Sequence, residues 1–159
     1  MYQVNTHFDP NENYQTLYTA ISAHLDDEPD LIANLANIAA FLFSTLPDLN
    51  WAGFYIVRDG ELVLGPFVGK PACTRIKLGE GVCGTAAAER RVINVPDVHA
   101  FEGHIACDCA SNSEIVLPLY RDGDVFGVLD IDSPVLQRFT ELDEDYLIKI
   151  AIRISDWLG

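Results

Sequence analysis

The chain has 159 residues, 49% hydrophobic and 21% charged, which fits one domain with a substantial core and excludes a disordered tail or a low-complexity polymer. Ten Lys and Arg face 24 Asp and Glu, a net charge of −14 that repels phosphate backbones and anionic lipid, so nucleic-acid and membrane-surface roles are not expected. Every apolar run breaks well short of the ~20 residues of a spanning helix, and the Met1–Asn5 start lacks the basic and apolar regions of a secretory signal, so the expected compartment is the reducing cytoplasm.

Apolar residues at Leu17, Tyr18, Ile21 and Leu25, and at Leu31, Leu35, Ile38, Leu42 and Leu46, predict helices over 14–25 and 30–46. Pro29-Asp30 supplies the break and an N-cap between them, and Pro47-Asp48 ends the second. None of the ten bases lies in the first 50 residues, which concentrates negative charge there. The period then changes. Trp51 to Val57 and Glu61 to Val68 read as strands around an Arg58-Asp59-Gly60 turn. Gly79-Glu80-Gly81-Val82-Cys83-Gly84 leads into the Ala-rich stretch 86–88 as a glycine loop entering a short helix, followed by a strand from Val92 to Val95.

Residues 96–113 have no clear period and form an unusually long connection, the kind that often carries chemistry. Glu114 to Tyr120 and Asp124 to Ile131 predict a second hairpin around Asp122-Gly123, and 140–158 returns to helical spacing. The order ααββαβ, loop, ββα describes an α+β domain with a mainly antiparallel sheet, its strands and loop spanning 50–132.

Cys73, Cys83, Cys107 and Cys109 fall in or beside the two least regular stretches, where thiols can reach solvent and one another. Redox work is one reading and small buried hydrophobes another. Cys83 sits just inside a helix start, where N–H groups and the helix dipole favour thiolate. His99, His104, Cys107 and Cys109 cluster within eleven residues, but without a C-x-x-C pair. No metal site or other cofactor is expected from that spacing.

Asp130 and Asp132 are two apart on one strand and so share a sheet face. A three-residue Arg121-Asp122-Gly123 loop would put Glu114 opposite Asp130; a two-residue loop would turn Glu114 to the other face. The three-residue loop is the preferred expectation. Clustered carboxyls repel, so one can stay protonated near neutral pH as a proton donor, or the group can clamp an ammonium ion. Exposed solubilising acids are the alternative.

The segments Gly69-Lys70-Pro71-Ala72-Cys73, Arg75-Ile76, Gly79–Gly84, Gly103-His104-Ile105-Ala106-Cys107-Asp108, Ser113-Glu114-Ile115-Val116 and Gly127–Ser133 together resemble the free methionine-(R)-sulfoxide reductases, which are single GAF-domain enzymes. The resemblance implies a GAF-like α+β domain over 1–159 with about six strands flanked by helices. It implies that Cys107 attacks the sulfoxide sulfur, that Cys73 resolves the resulting sulfenic acid, and that Cys83 is an auxiliary or alternative resolver. Thioredoxin would then reduce the Cys73–Cys107 disulfide.

Glu114, Asp130 and Asp132 match acids that hold the substrate or protonate its oxygen, and Trp51 and Tyr55 match aromatics shaping the pocket. A homodimer is implied too, with helices 14–25 and 141–158 as its expected surfaces. Cys109 departs from the family pattern and could compete in disulfide formation. The readings from other classes are a GAF sensor that binds a small ligand without turnover and a peroxide-sensing thiol switch.

Overall fold

The computed structural model describes residues 9–103 and 110–159. Helices α1 (Pro10–Asp27) and α2 (Leu31–Thr45) come first, followed by strands β1 (Trp51–Arg58), β2 (Glu61–Gly69) and β3 (Arg75–Lys77). Helix α3 (Gly81–Glu89), strands β4 (Ile93–Val95), β5 (Ser113–Arg121) and β6 (Asp124–Ser133), and helix α4 (Glu141–Leu158) complete the domain. Among the described residues, no helix is long and apolar enough to cross a membrane.

Local chemistry sets the helix ends. The Asp9 carboxylate accepts from Asn11 N–H at 2.9 Å and Pro10 occupies the first turn, so α1 starts four residues before its apolar stripe becomes readable. Asp30 caps α2 as expected, accepting from Ala33 N–H at 2.8 Å. Thr140 and Asp143 form a reciprocal capping box at α4.

The six strands form one antiparallel sheet in the order β3-β2-β1-β6-β5-β4. Strand β3 is missing from the element order read in the sequence, because its three residues place a single buried Ile76 between exposed Arg75 and Lys77. Too few residues carry the alternation for a period to register. The sheet is buried on both faces. Leu17, Ile21, Leu35 and Leu42 of α1 and α2, with Leu147 and Ile150 of α4, pack on Phe54, Ile115, Leu117, Leu129 and Ile131. On the opposite face, Val82, Cys83 and Ala86 of α3 pack with Trp51, Tyr55, Val116 and Val128. Each fully buried Leu or Ile contributes about 1.5–3 kcal/mol of transfer free energy, so the first face holds most of the stability.

The β5–β6 register corrects the expected turn. Arg121 pairs with Asp124, so the loop is the two residues Asp122-Gly123, both at positive φ (51° and 81°) as a type I′ turn requires. Between Leu119↔Gly127 and Tyr120↔Val125 the register shifts, leaving Phe126 as the extra residue of a β-bulge. The bulge restores the side-chain parity that a two-residue turn alone would reverse. Glu114 therefore stands opposite Asp132, not Asp130, and Val116 stands opposite Asp130. All three acids still share the α3 face.

α1 and α4 pack on each other through stacked Tyr14 and Tyr146, 5.0 Å between centroids, and an Arg153–Asp26 ion pair. At one end of this contact lies a buried polar network. Tyr14 donates its hydroxyl to Asp143 at 2.6 Å, Arg138 donates to the same carboxylate at 2.9 Å, and Arg138 Nε donates to the Pro47 carbonyl at 3.0 Å. Burial opposes the Asp143 charge, yet the bonds from Tyr14 and Thr140 and the Arg138 guanidinium hold its pKa below the usual carboxylate range. One carboxylate thus joins α1, α4 and the α2–β1 connection. Asp143→Ala leaves Arg138 without its buried partner and should cost about 3–5 kcal/mol. Thermal unfolding should show the loss as a large fall in Tm, whereas Tyr14→Phe, which removes one hydrogen bond, should cost only about 1–2 kcal/mol. Equal small shifts for both variants would contradict the role of Asp143.

Candidate active site

Three central strands and α3 build the site on the less apolar face of the sheet. β6 places Asp130 and Asp132 two residues apart, and β5 places Glu114 across from Asp132. β1 lies on the other side of β6, with Trp51 opposite Asp132, Gly53 opposite Asp130 and Tyr55 opposite Val128. Two side chains flank a vacant position on β1, directly across from a buried carboxyl.

Gly53 is required by that arrangement. A Cβ there would lie 2.3 Å from Phe67 Cβ and 2.9 Å from the Trp51 ring. Phe67 and Trp51 use the space instead, stacking at 5.2 Å between centroids, and Trp51 also stacks on Tyr55 at 6.0 Å. Gly53 and Phe67 are site residues that the sequence reading passed over. A glycine inside a strand between two aromatics is itself a signal of close approach.

The polar ends of the aromatics tie down the connection after β2. Trp51 Nε1 donates to the Lys70 carbonyl at 3.1 Å, and the Tyr55 hydroxyl donates to the Cys73 carbonyl at 2.8 Å. Burial, then the charge of Asp130, raises the Tyr55 pKa far above its ordinary value, so its hydroxyl remains a donor. Cys73 is disulfide-bonded and Cys83 is a free thiol. Cys107, Cys109 and His104 lie outside the described residues.

Cys83 is buried on α3, and its Sγ lies 3.9 Å from Glu114 Oε1. Burial, followed by the charges of Asp130 and Glu114, pushes the thiol pKa well up. This overturns the expectation that the helix start favours thiolate. A helix N-terminus contributes about 0.3–1 kcal/mol, too little against desolvation beside two acids.

Glu114 and Asp130 are each 6% exposed. Burial raises the pKa of Glu114 well above the carboxylate range, and the charges of Asp130 and Asp132 raise it further. Burial raises Asp130 as well, while hydrogen bonds from Glu114 and Cys83 favour its ionised form. The pair therefore holds a proton more tightly than a free carboxyl does, with Glu114 raised more strongly than Asp130. Asp132 is only partly buried. The carboxyl group is thus no exposed solubilising patch. It can present a neutral acid and an anion side by side in a dry setting.

The expected His99–His104–Cys107–Cys109 grouping can be followed only at His99, whose Nε2 lies 3.1 Å from Asn112 Oδ1. Among the described residues, the atoms that converge as metal ligands would are those of Cys83, Glu114 and Asp130.

Residues 30–156 match the GAF domain family. The free methionine-R-sulfoxide reductase of Escherichia coli is 52% identical over 148 residues, covering 93% of this chain and 90% of that protein. Protein YtsP of Bacillus subtilis is 57% identical over 145 residues, covering 90% and 89%. The X-ray structure of free methionine-R-sulfoxide reductase from Neisseria meningitidis in complex with its substrate superposes with a TM-score of 0.92 at 43% identity, covering 98% of this chain and 96% of that one.

The shared proton has a measurable consequence. A folded-state carboxyl pKa raised above its unfolded value of ~4.3 contributes stability that is complete below that value and is lost as pH rises through the folded pKa. Glu114→Gln removes this titration. The Tm of the variant minus that of the parent should therefore grow between pH 5 and pH 8 in parallel thermal melts. A difference that stays constant or shrinks would contradict a raised Glu114.

Proposed function

The chain belongs to the free methionine-R-sulfoxide reductases of the GAF domain family, and from that membership we propose that it reduces free L-methionine-(R)-sulfoxide to L-methionine as a single domain spanning 1–159. The observation that carries this reading is the buried Glu114–Asp130 pair facing an aromatic wall whose Tyr55 holds the backbone of Cys73. A dry carboxyl pair suits a zwitterionic substrate, because it offers an anion for the ammonium group and a proton for the sulfoxide oxygen.

In the proposed cycle the Cys107 thiolate attacks the sulfoxide sulfur. Glu114 protonates the oxygen, which passes to Cys107 as a sulfenic acid while methionine departs. The Cys73 sulfur then attacks the sulfenic sulfur, its thiol proton passing to the departing hydroxyl, which forms a Cys73–Cys107 disulfide and releases water. A thioredoxin dithiol reduces the disulfide by exchange. Asp130 and Asp132 accept from the substrate's ammonium, and the Trp51 ring packs against its S-methyl group.

Cys83 is the weaker resolver. Its buried thiol gives up its proton with difficulty, and thiolate is the attacking species. Peptide-bound methionine sulfoxide carries amides where the free amino acid carries charges, so it leaves the buried acids unpaired and should be refused. The homodimer would use outer helix surfaces, since α1 and α4 already cover each other; α4 keeps Leu142 and Ile152 exposed. The cytoplasm is the compartment that supplies the reductant.

The test is NADPH oxidation coupled through thioredoxin reductase and thioredoxin, with the free R epimer, the free S epimer and N-acetylated R sulfoxide as substrates. Turnover of the free R epimer alone is expected. Asp130→Asn should lower kcat/KM by about 10–100-fold, the loss of one charged hydrogen bond, while leaving the reaction of Cys107 with peroxide intact. Absence of turnover with all three substrates would leave a ligand-binding sensor, and equal loss of both Cys107 reactions would point to a peroxide switch.

A further inference from the structure

We propose that Cys83, Glu114 and Asp130 form a binding site for a zinc-class divalent cation, and that an ion held there blocks substrate from the acids. Ligand atoms of the three residues lie within 4.8 Å of one another, and Cys83 Sγ to Glu114 Oε1 is 3.9 Å. Zn–S and Zn–O bonds of about 2.3 and 2.1 Å at a tetrahedral angle separate sulfur and oxygen by about 3.6 Å, so the cluster closes on an ion with small side-chain movements.

A second observation points to a ligand. Asp130 Oδ1 is fully buried and has no hydrogen-bond partner. Asp130 as a whole is 6% exposed, so no bulk water serves this oxygen. Buried oxygens are ordinarily satisfied, and one left open on a carboxyl that groups with a thiol and a second carboxyl is a ready ligand position. The three residues also come from three packed elements, α3, β5 and β6, so little conformational freedom is lost when they converge.

The donor set selects the metal. Magnesium and calcium take six or more oxygens, which one sulfur and two carboxyls do not supply. Cys83 would ligate as thiolate and Glu114 as carboxylate, so the ion displaces their protons; that donor set suits zinc, with the fourth tetrahedral position left to water. The ion would act as an inhibitor rather than a cofactor, because Asp130 is an acceptor assigned above to the substrate ammonium. This last step rests on the proposed reductase reading; the metal site itself does not.

The probe is cobalt(II) chloride added to the reduced full-length chain without substrate, with the near-ultraviolet thiolate-to-cobalt charge-transfer band as readout. One equivalent should produce the band, and zinc should abolish it by displacement. The band should persist in Cys73→Ser, Cys107→Ser and Cys109→Ser, and be lost in Cys83→Ser and in Asp130→Asn, each checked for folding by circular dichroism. No band in the parent chain, or a band that survives both Cys83→Ser and Asp130→Asn, overturns the site. Free methionine-(R)-sulfoxide should then release the bound cobalt. Retention at saturating substrate overturns the blocking role, while turnover in the presence of chelator separately tests the reductase reading.

Discussion

Two carboxyl groups with one proton between them, buried on a sheet face beside a neutral thiol, set the terms for the rest of this domain. Glu114 and Asp130 lie where charge is costly, and the cost is met by proton sharing rather than by exposure. Such a pair persists only on a rigid platform. β6 and β5 are central strands, held on the opposite face by Ile115, Leu117, Leu129 and Ile131 against three helices. The apolar half of the molecule supplies the stability that offsets the burial of these acids.

The same platform links the acids to the redox segment. Gly53 sits across from Asp130, Trp51 and Phe67 stack over the space it leaves, and Trp51 and Tyr55 donate to the backbone of residues 70 and 73. A substrate bound at the acids would neighbour rings whose polar ends fix the backbone at Lys70 and Cys73. Substrate contact and resolver placement are therefore one mechanical unit in the proposed cycle. Cys83 stands apart from it as a buried thiol whose setting suppresses nucleophilicity and whose sulfur groups with the carboxyls of Glu114 and Asp130.

Much of this was legible in the sequence, for reasons that differ by element. α2 was readable to within a residue because its apolar stripe and its Asp30 cap agree. The start of α1 was not, since Asp9-Pro10 precedes the stripe and only capping chemistry marks it. Glu114, Asp130 and Asp132 were correctly grouped on one face, but by a compensation no local rule reveals: a two-residue turn reverses the parity and the bulge at Phe126 restores it. Gly53 escaped notice because its role lies in what its absent side chain permits across two neighbouring strands. The ionisation of Cys83 was misjudged because the helix start is visible in the sequence and the facing acids are not. Sequence reports local fields well; burial and cross-strand charge require the fold.

The central claim is that Glu114 keeps its proton at neutral pH, and 13C NMR of chain labelled at the glutamate side-chain carboxyls tests it most directly. One resonance should retain the chemical shift of a protonated carboxyl at pH 7, begin to move only at higher pH, and vanish in Glu114→Gln. If every glutamate carboxyl has ionised by pH 6, the shared proton does not exist and the account of the site fails with it.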